Sequence, residues 1–114
     1  MSLIKALITP VTPFQQNAPI LFCEDSKQCA FVDPGGDLDI LLGVAKDNNL
    51  IPEKIFLTHG HADHAGAAME LASILSIKIE GPHKEDAFLL DSLESQAKMF
   101  GFQAQNCIPN RWLQ

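Results

Sequence analysis

Thr58-His59-Gly60-His61-Ala62-Asp63-His64 is the stretch that decides both the fold and the chemistry of this chain. Ile55-Phe56-Leu57 stands directly before it, a continuous apolar run that, with Thr58, predicts a strand buried on both faces. Ala65-Gly66-Ala67-Ala68 follows directly, small residues leading into an apolar stripe of Ala68, Leu71, Ala72 and Leu75 at helical spacing. The three histidines therefore fall at the C-terminal end of a strand, where α/β sheets form their ligand sites.

Outward from that strand the pattern alternates. Upstream, Leu38, Leu41, Leu42 and Ala45 recur at i, i+3, i+4 and i+7 and predict a helix running to about Asn49, with Asp37 as its cap. Before it, Ile20-Leu21-Phe22-Cys23 and Cys29-Ala30-Phe31-Val32 are two apolar runs joined by polar Glu24 to Gln28, a hairpin pattern that Asp33-Pro34-Gly35-Gly36 ends sharply. Leu3 to Thr9 reads as a strand, and Pro10 and Pro13 predict loop from there to Ala18. Downstream, Ile77-Lys78-Ile79-Glu80 alternates as a strand does. After Gly81-Pro82, Asp91 and Glu94 have the spacing of a capping box opening a last short helix that ends near Gly101. The order β-ββ-α-β-α-β-α predicts an α/β fold, a mixed sheet with helices packed on it, in one domain over 1–114.

Composition bounds the function. The 114 residues are 46% hydrophobic and 19% charged, which suits one folded domain with a modest core. A net charge of −6 without a basic block argues against nucleic acid as a partner. No apolar run is long enough to span a membrane, no signal-peptide pattern is read before Pro10, and three cysteines without a CxxC pair suit a reducing compartment, so a cytoplasmic protein is expected.

The clustered histidines carry the chemistry. Neutral imidazole and carboxylate are ligands for Zn²⁺ or a related first-row metal, and Fe or Mn suits the same set. Gly60 and Ala62 let the backbone turn tightly, so that His59 and His61 can converge on one ion while Asp63 and His64 face a second one nearby. Two such ions a few Å apart would clamp and activate a bridging hydroxide.

At these residues the chain resembles the metallo-β-lactamase superfamily, and within it the glyoxalase II-like hydrolases (hydroxyacylglutathione hydrolase and its short bacterial relatives). The resemblance rests on Val32-Asp33-Pro34-Gly35-Gly36 after a hairpin, on Thr58 to His64, on Gly81-Pro82 after the next strand and on Arg111-Trp112-Leu113. It implies the N-terminal half of an αββα sandwich with a dinuclear site, His59 and His61 serving the first metal and Asp63 and His64 the second. Asp63 is the candidate catalytic residue among them. The resemblance also implies hydrolysis of glutathione thioesters of the S-lactoylglutathione type, in which metal-bound hydroxide attacks the carbonyl and thiolate leaves. The family's remaining ligands lie in segments beyond the position matching Gln114. On the resemblance, these 114 residues alone are expected to hold zinc weakly, in one or two sites, and to be weakly active or inactive. Two alternatives stand beside this: a non-catalytic truncated or split module, and a persulfide dioxygenase of the same superfamily.

Other residues have more than one reading. Asp33 is either a group that hydrogen-bonds the metal loop or a turn aspartate before Pro34. Thr58 either satisfies a backbone group beside the site or is simply a β-branched strand residue. Gly35 and Gly36 read as turn residues, His83 as a surface or turn histidine, Lys84-Glu85-Asp86 as a solvated helix start, and Cys23, Cys29 and Cys107 as small hydrophobes. Trp112 reads as a core or interface aromatic, and exposed strand edges predict self-association.

Overall fold

The computed structural model describes residues 4–11, 16–58, 60, 62–100 and 104–113, with the side chains of 9–11, 16, 17, 62, 63, 85, 100 and 113 left aside. The chain runs β1 (Ile4–Val11), β2 (Gln16–Cys23), β3 (Gln28–Val32), α1 (Leu38–Asp47), β4 (Ile51–Phe56), α2 (Ala62–Ala65), α3 (Ala68–Leu75), β5 (Lys78–His83), a 3₁₀ turn (Lys84–Asp86), α4 (Ala87–Leu90), α5 (Leu93–Phe100) and β6 (Arg111–Leu113). Among the described residues the strands form one sheet in sequence order, β1-β2-β3-β4-β5-β6. β1, β2 and β3 pair antiparallel, and β3 to β6 pair parallel, so the sheet is mixed as expected.

Register explains the core. Ile20, Phe31, Ile55 and Ile79 stand side by side across four strands and therefore on one face. All four are fully buried, in one cluster with Leu41 and Ala45 of α1, Ala68 and Leu71 of α3, Leu90 of α4 and Leu93 and Ala97 of α5. Burying a side chain of this size contributes roughly 1.5–3 kcal/mol, so this row and its helical cover hold the fold together. The alternate row, Leu21, Ala30 and Lys54, looks away from the helices, and Leu21 is 38% exposed.

Several expectations need correction. β1 continues through Pro10, which pairs with Asn17, and β2 already begins at Gln16, so the predicted loop to Ala18 is much shorter. The physical reason is position: β1 is an edge strand, where a missing N–H costs the ladder little. Pro19 of β2 likewise lies outside the pairing of β2 with β3, which covers Ile20 to Phe22. β4 starts at Ile51 and is not buried on both faces: Ile55 and Leu57 are buried, Phe56 is half-buried and Ile51 is 52% exposed. The cause is that the helical cluster covers one face of the sheet. The stripe from Ala68 to Leu75 forms α3 as expected, but the small residues before it do not run into it as one helix: α2 ends at Ala65 and α3 starts at Ala68.

Caps also differ. Asp37 occupies the N-cap position of α1 in a left-handed conformation (φ 51°) and makes no side-chain cap; its carbonyl accepts the Ile40 and Leu41 N–H groups instead. Asp91 closes α4, and the Glu94 N–H in the first turn of α5 donates to Asn106 Oδ1 (3.0 Å). A tertiary contact therefore replaces the predicted capping box. β6, unanticipated as a strand, brings Trp112 half-buried against the core, and Asn110 fastens it: Ile79 N–H donates to Asn110 Oδ1 and Asn110 N–H to Ile79 O, both at 2.8 Å.

Candidate metal centre

The parallel strands deliver three chain segments to one edge of the sheet, and each contributes to the loop that joins β4 to α2. From β3 comes Asp33, the one charged side chain buried among the described residues, at 6% exposure. Its backbone is left-handed (φ 51°), a conformation that aspartate tolerates because its short polar side chain bonds locally. Its own N–H donates to Phe56 O (2.9 Å), which locks the end of β3 against the end of β4.

The Asp33 carboxylate grips the loop before and after the histidine pair. Oδ1 accepts the Thr58 N–H (2.7 Å), and Oδ2 accepts both the Thr58 hydroxyl (2.5 Å) and His64 Nδ1 (3.0 Å). A carboxylate only accepts, so the ring proton of His64 sits on Nδ1, and in the neutral imidazole Nε2 is the nitrogen with a lone pair for a metal. A carboxylate that fixes the tautomer and orientation of an imidazole in this way is the usual companion of a metal-binding histidine. Asp33 thus hydrogen-bonds the loop as well as ending β3, and the Thr58 hydroxyl meets this carboxylate rather than a backbone group. The neighbouring Pro34 carbonyl adds a brace by accepting the Ala67 N–H (3.1 Å), holding the start of α3 to the turn after β3.

The middle of the loop is held from the other side. Gly60, buried, donates its N–H to Asp86 Oδ2 (3.0 Å), in the 3₁₀ turn after β5. A Cβ at Gly60 would lie 2.8 Å from Leu89 Cβ and 2.9 Å from the Asp86 carbonyl oxygen, so only glycine fits. The reading of Asp86 as part of a solvated helix start misses this contact.

Of the candidate ligands, His64 is placed on α2 beside Asp33, and the backbone of Asp63 precedes it on the same helix. His59, His61 and the side chain of Asp63 lie outside the described residues. Among the described residues alone, no group of three or more His, Cys, Asp or Glu could hold a metal ion. Of the ligands named from the sequence, the side chain of His64 is the one placed among the described residues, held by the Asp33 carboxylate. His83 is exposed at the end of β5. Cys29 and Cys107 are buried, and burial pushes their thiols up to about 11 and about 12, with the Glu53 carboxylate adding to the effect at Cys29. Such thiols are neither nucleophiles nor ready ligands at neutral pH. No helix among the described residues is long and apolar enough to cross a membrane.

The chain is similar in sequence and fold to known proteins. The chain is 41% identical over 106 residues to hydroxyacylglutathione hydrolase GloC of Haemophilus influenzae, covering 92% of this chain and 50% of that protein. It is 36% identical to the probable metallo-hydrolase YqgX of Bacillus subtilis, over 82% of this chain and 44% of the relative. Among solved structures it superposes on TTHA1623 in a di-iron-bound form (TM-score 0.83, 28% identity, 95% of this chain and 54% of that one). It also superposes on the BLEG-1 B3 metallo-β-lactamase (TM-score 0.79, 30% identity, 98% and 53%). The chain spans about half the length of these proteins. The family model of the metallo-β-lactamase superfamily matches residues 11–113, nearly the whole chain, and this chain belongs to that superfamily.

Proposed function

We propose that the chain provides the N-terminal part of a metal-dependent hydrolase of glutathione thioesters. His59 and His61 would bind one metal ion, and Asp63 and His64 a second. The observation that carries the reading is the 3.0 Å contact between His64 Nδ1 and the buried Asp33 carboxylate, which prepares Nε2 for a metal. The similarity to hydroxyacylglutathione hydrolase GloC supports thioester over other substrates of metal-dependent hydrolases.

Zinc, iron or manganese bound here would polarise a carbonyl and lower the pKa of water. The chain's own residues do the positioning. Asp33 holds His64 in one tautomer, and through Thr58 it fixes where the loop leaves β4. Asp63, next to His64 on α2, is the candidate catalytic carboxylate. The ligands expected from segments beyond Gln114 would complete the coordination, so activity belongs to the protein that contains both parts.

The test is thioester hydrolysis by the full protein carrying these residues, with S-lactoylglutathione as substrate. Turnover that disappears with a chelator and with His61→Ala is the expected result. Persulfide-dependent oxygen uptake by an iron-loaded protein, without thioester turnover, would replace this reading with the dioxygenase alternative.

A further inference from the structure

The candidate metal loop is gripped by two carboxylates, and among the described residues Asp33 is the one that touches a candidate ligand. Asp33, after β3, binds the residues at its two ends. Asp86, after β5, binds its centre: Gly60 donates to Asp86 Oδ2 at 3.0 Å across 26 residues of sequence. β4 lies between β3 and β5 in the sheet, so the two grips come from opposite sides.

We infer that Asp86 is a positioning residue of the metal centre, whose carboxylate fixes the Gly60 peptide and with it the two histidines bonded to that residue. The inference rests on the reading of the loop as a metal site. Gly60 is covalently joined to His59 and His61, so an anchored Gly60 amide limits the paths open to either one. The backbone of Asp86 contributes as well, because its carbonyl oxygen and Leu89 Cβ close the space around Gly60 Cα. The contact is not needed to start a helix: Asp86 occupies the N-cap position of α4 without making a side-chain cap. Its carboxylate is turned to the loop instead.

The position of the acceptor, rather than its charge, is what this arrangement requires. Zn²⁺ and Mn²⁺ affinities of the full protein, measured by competition with a chromophoric chelator, separate the two. Asp86→Ala should weaken binding about 10- to 100-fold, the range typical for partners that orient ligands. Asp86→Asn, whose amide oxygen can accept the same N–H, should stay close to wild type. Asp86→Glu keeps the charge but moves the carboxylate by one methylene, and should bind more weakly than the asparagine variant. Thermal unfolding of the metal-free proteins should not follow that order.

If Asp86→Ala does not fold, the asparagine and glutamate variants decide alone. Glutamate equal to or better than asparagine overturns the inference, as does an affinity order that merely tracks metal-free stability. His61→Ala is measured alongside. Wild type that takes up no metal, or His61→Ala that binds as well as wild type, overturns the reading of the loop and the inference together. Loss in His61→Ala with an unchanged Asp86 series overturns the inference alone.

Discussion

The antiparallel and the parallel part of the sheet contribute differently to the site. In the antiparallel half, β1 to β3, consecutive connections alternate between the ends of the sheet, and the turn at 24–27 opens at the end remote from Asp33. In the parallel half, β3 to β5, every strand leaves at the same edge: β3 into Asp33, β4 into the histidine loop, β5 into Asp86. Parallel strands bring all their C-terminal ends together, whereas hairpins cannot. The antiparallel half therefore serves as scaffold, and the parallel half concentrates polar chemistry at one edge.

Three tests probe that division. The largest stability effect should come from the row of side chains that both halves share. Phe31→Ala, in β3 at the junction, removes a fully buried ring and should cost about 3–5 kcal/mol, read by chemical denaturation. Asp33→Ala should separate the halves. It leaves the Thr58 N–H and hydroxyl without their acceptor, costing roughly 1–3 kcal/mol, and should weaken metal binding about 10- to 100-fold in the competition assay. If Asp33→Ala lowered stability while leaving metal affinity intact, the polar edge would be structural only.

The smallest effect concerns the thiols. Raised values of about 11 for Cys29 and about 12 for Cys107 keep both protonated at pH 8, so Cys23, half-buried at the end of β2, should alkylate first. The sign for stability follows. Between the ordinary thiol value of 9.0 and these raised ones, the unfolded chain is ionised and the folded one is not. Stability should therefore fall as pH rises through that window. Equal alkylation rates at all three cysteines in folded protein at pH 8 would contradict the burial.

Much of this was legible in the residues. The hairpin follows from two apolar runs around a polar turn, and α1 from its stripe of leucines. The histidine loop is placed by the apolar strand before it. What was not legible depends on partners distant in the chain. Pro10 looks like a strand breaker until β1 is known to be an edge strand. The capping box at Asp91 and Glu94 gave way to Asn106, and no local pattern marks that contact. Asp86 sits in a charged triplet that reads as solvent-facing, and its bond to Gly60 becomes visible only when β4 and β5 are placed side by side. The left-handed turn at Asp33 was ambiguous for a similar reason: its function lies in Thr58 and His64, 25 and 31 residues further on.

The central claim is that the loop from Thr58 to His64, oriented by Asp33, binds metal. Metal content by mass spectrometry, on the full protein purified without a polyhistidine tag, tests it most directly. The account predicts about one to two equivalents of zinc, iron or manganese per chain, as expected for a site of this donor set. The ion assigned to His59 and His61 should be lost in the His59→Ala, His61→Ala double variant, and the total should be reduced in Asp33→Ala. Folded wild-type protein that holds none of these metals and takes none up on addition, or a double variant that retains its full complement, would contradict it.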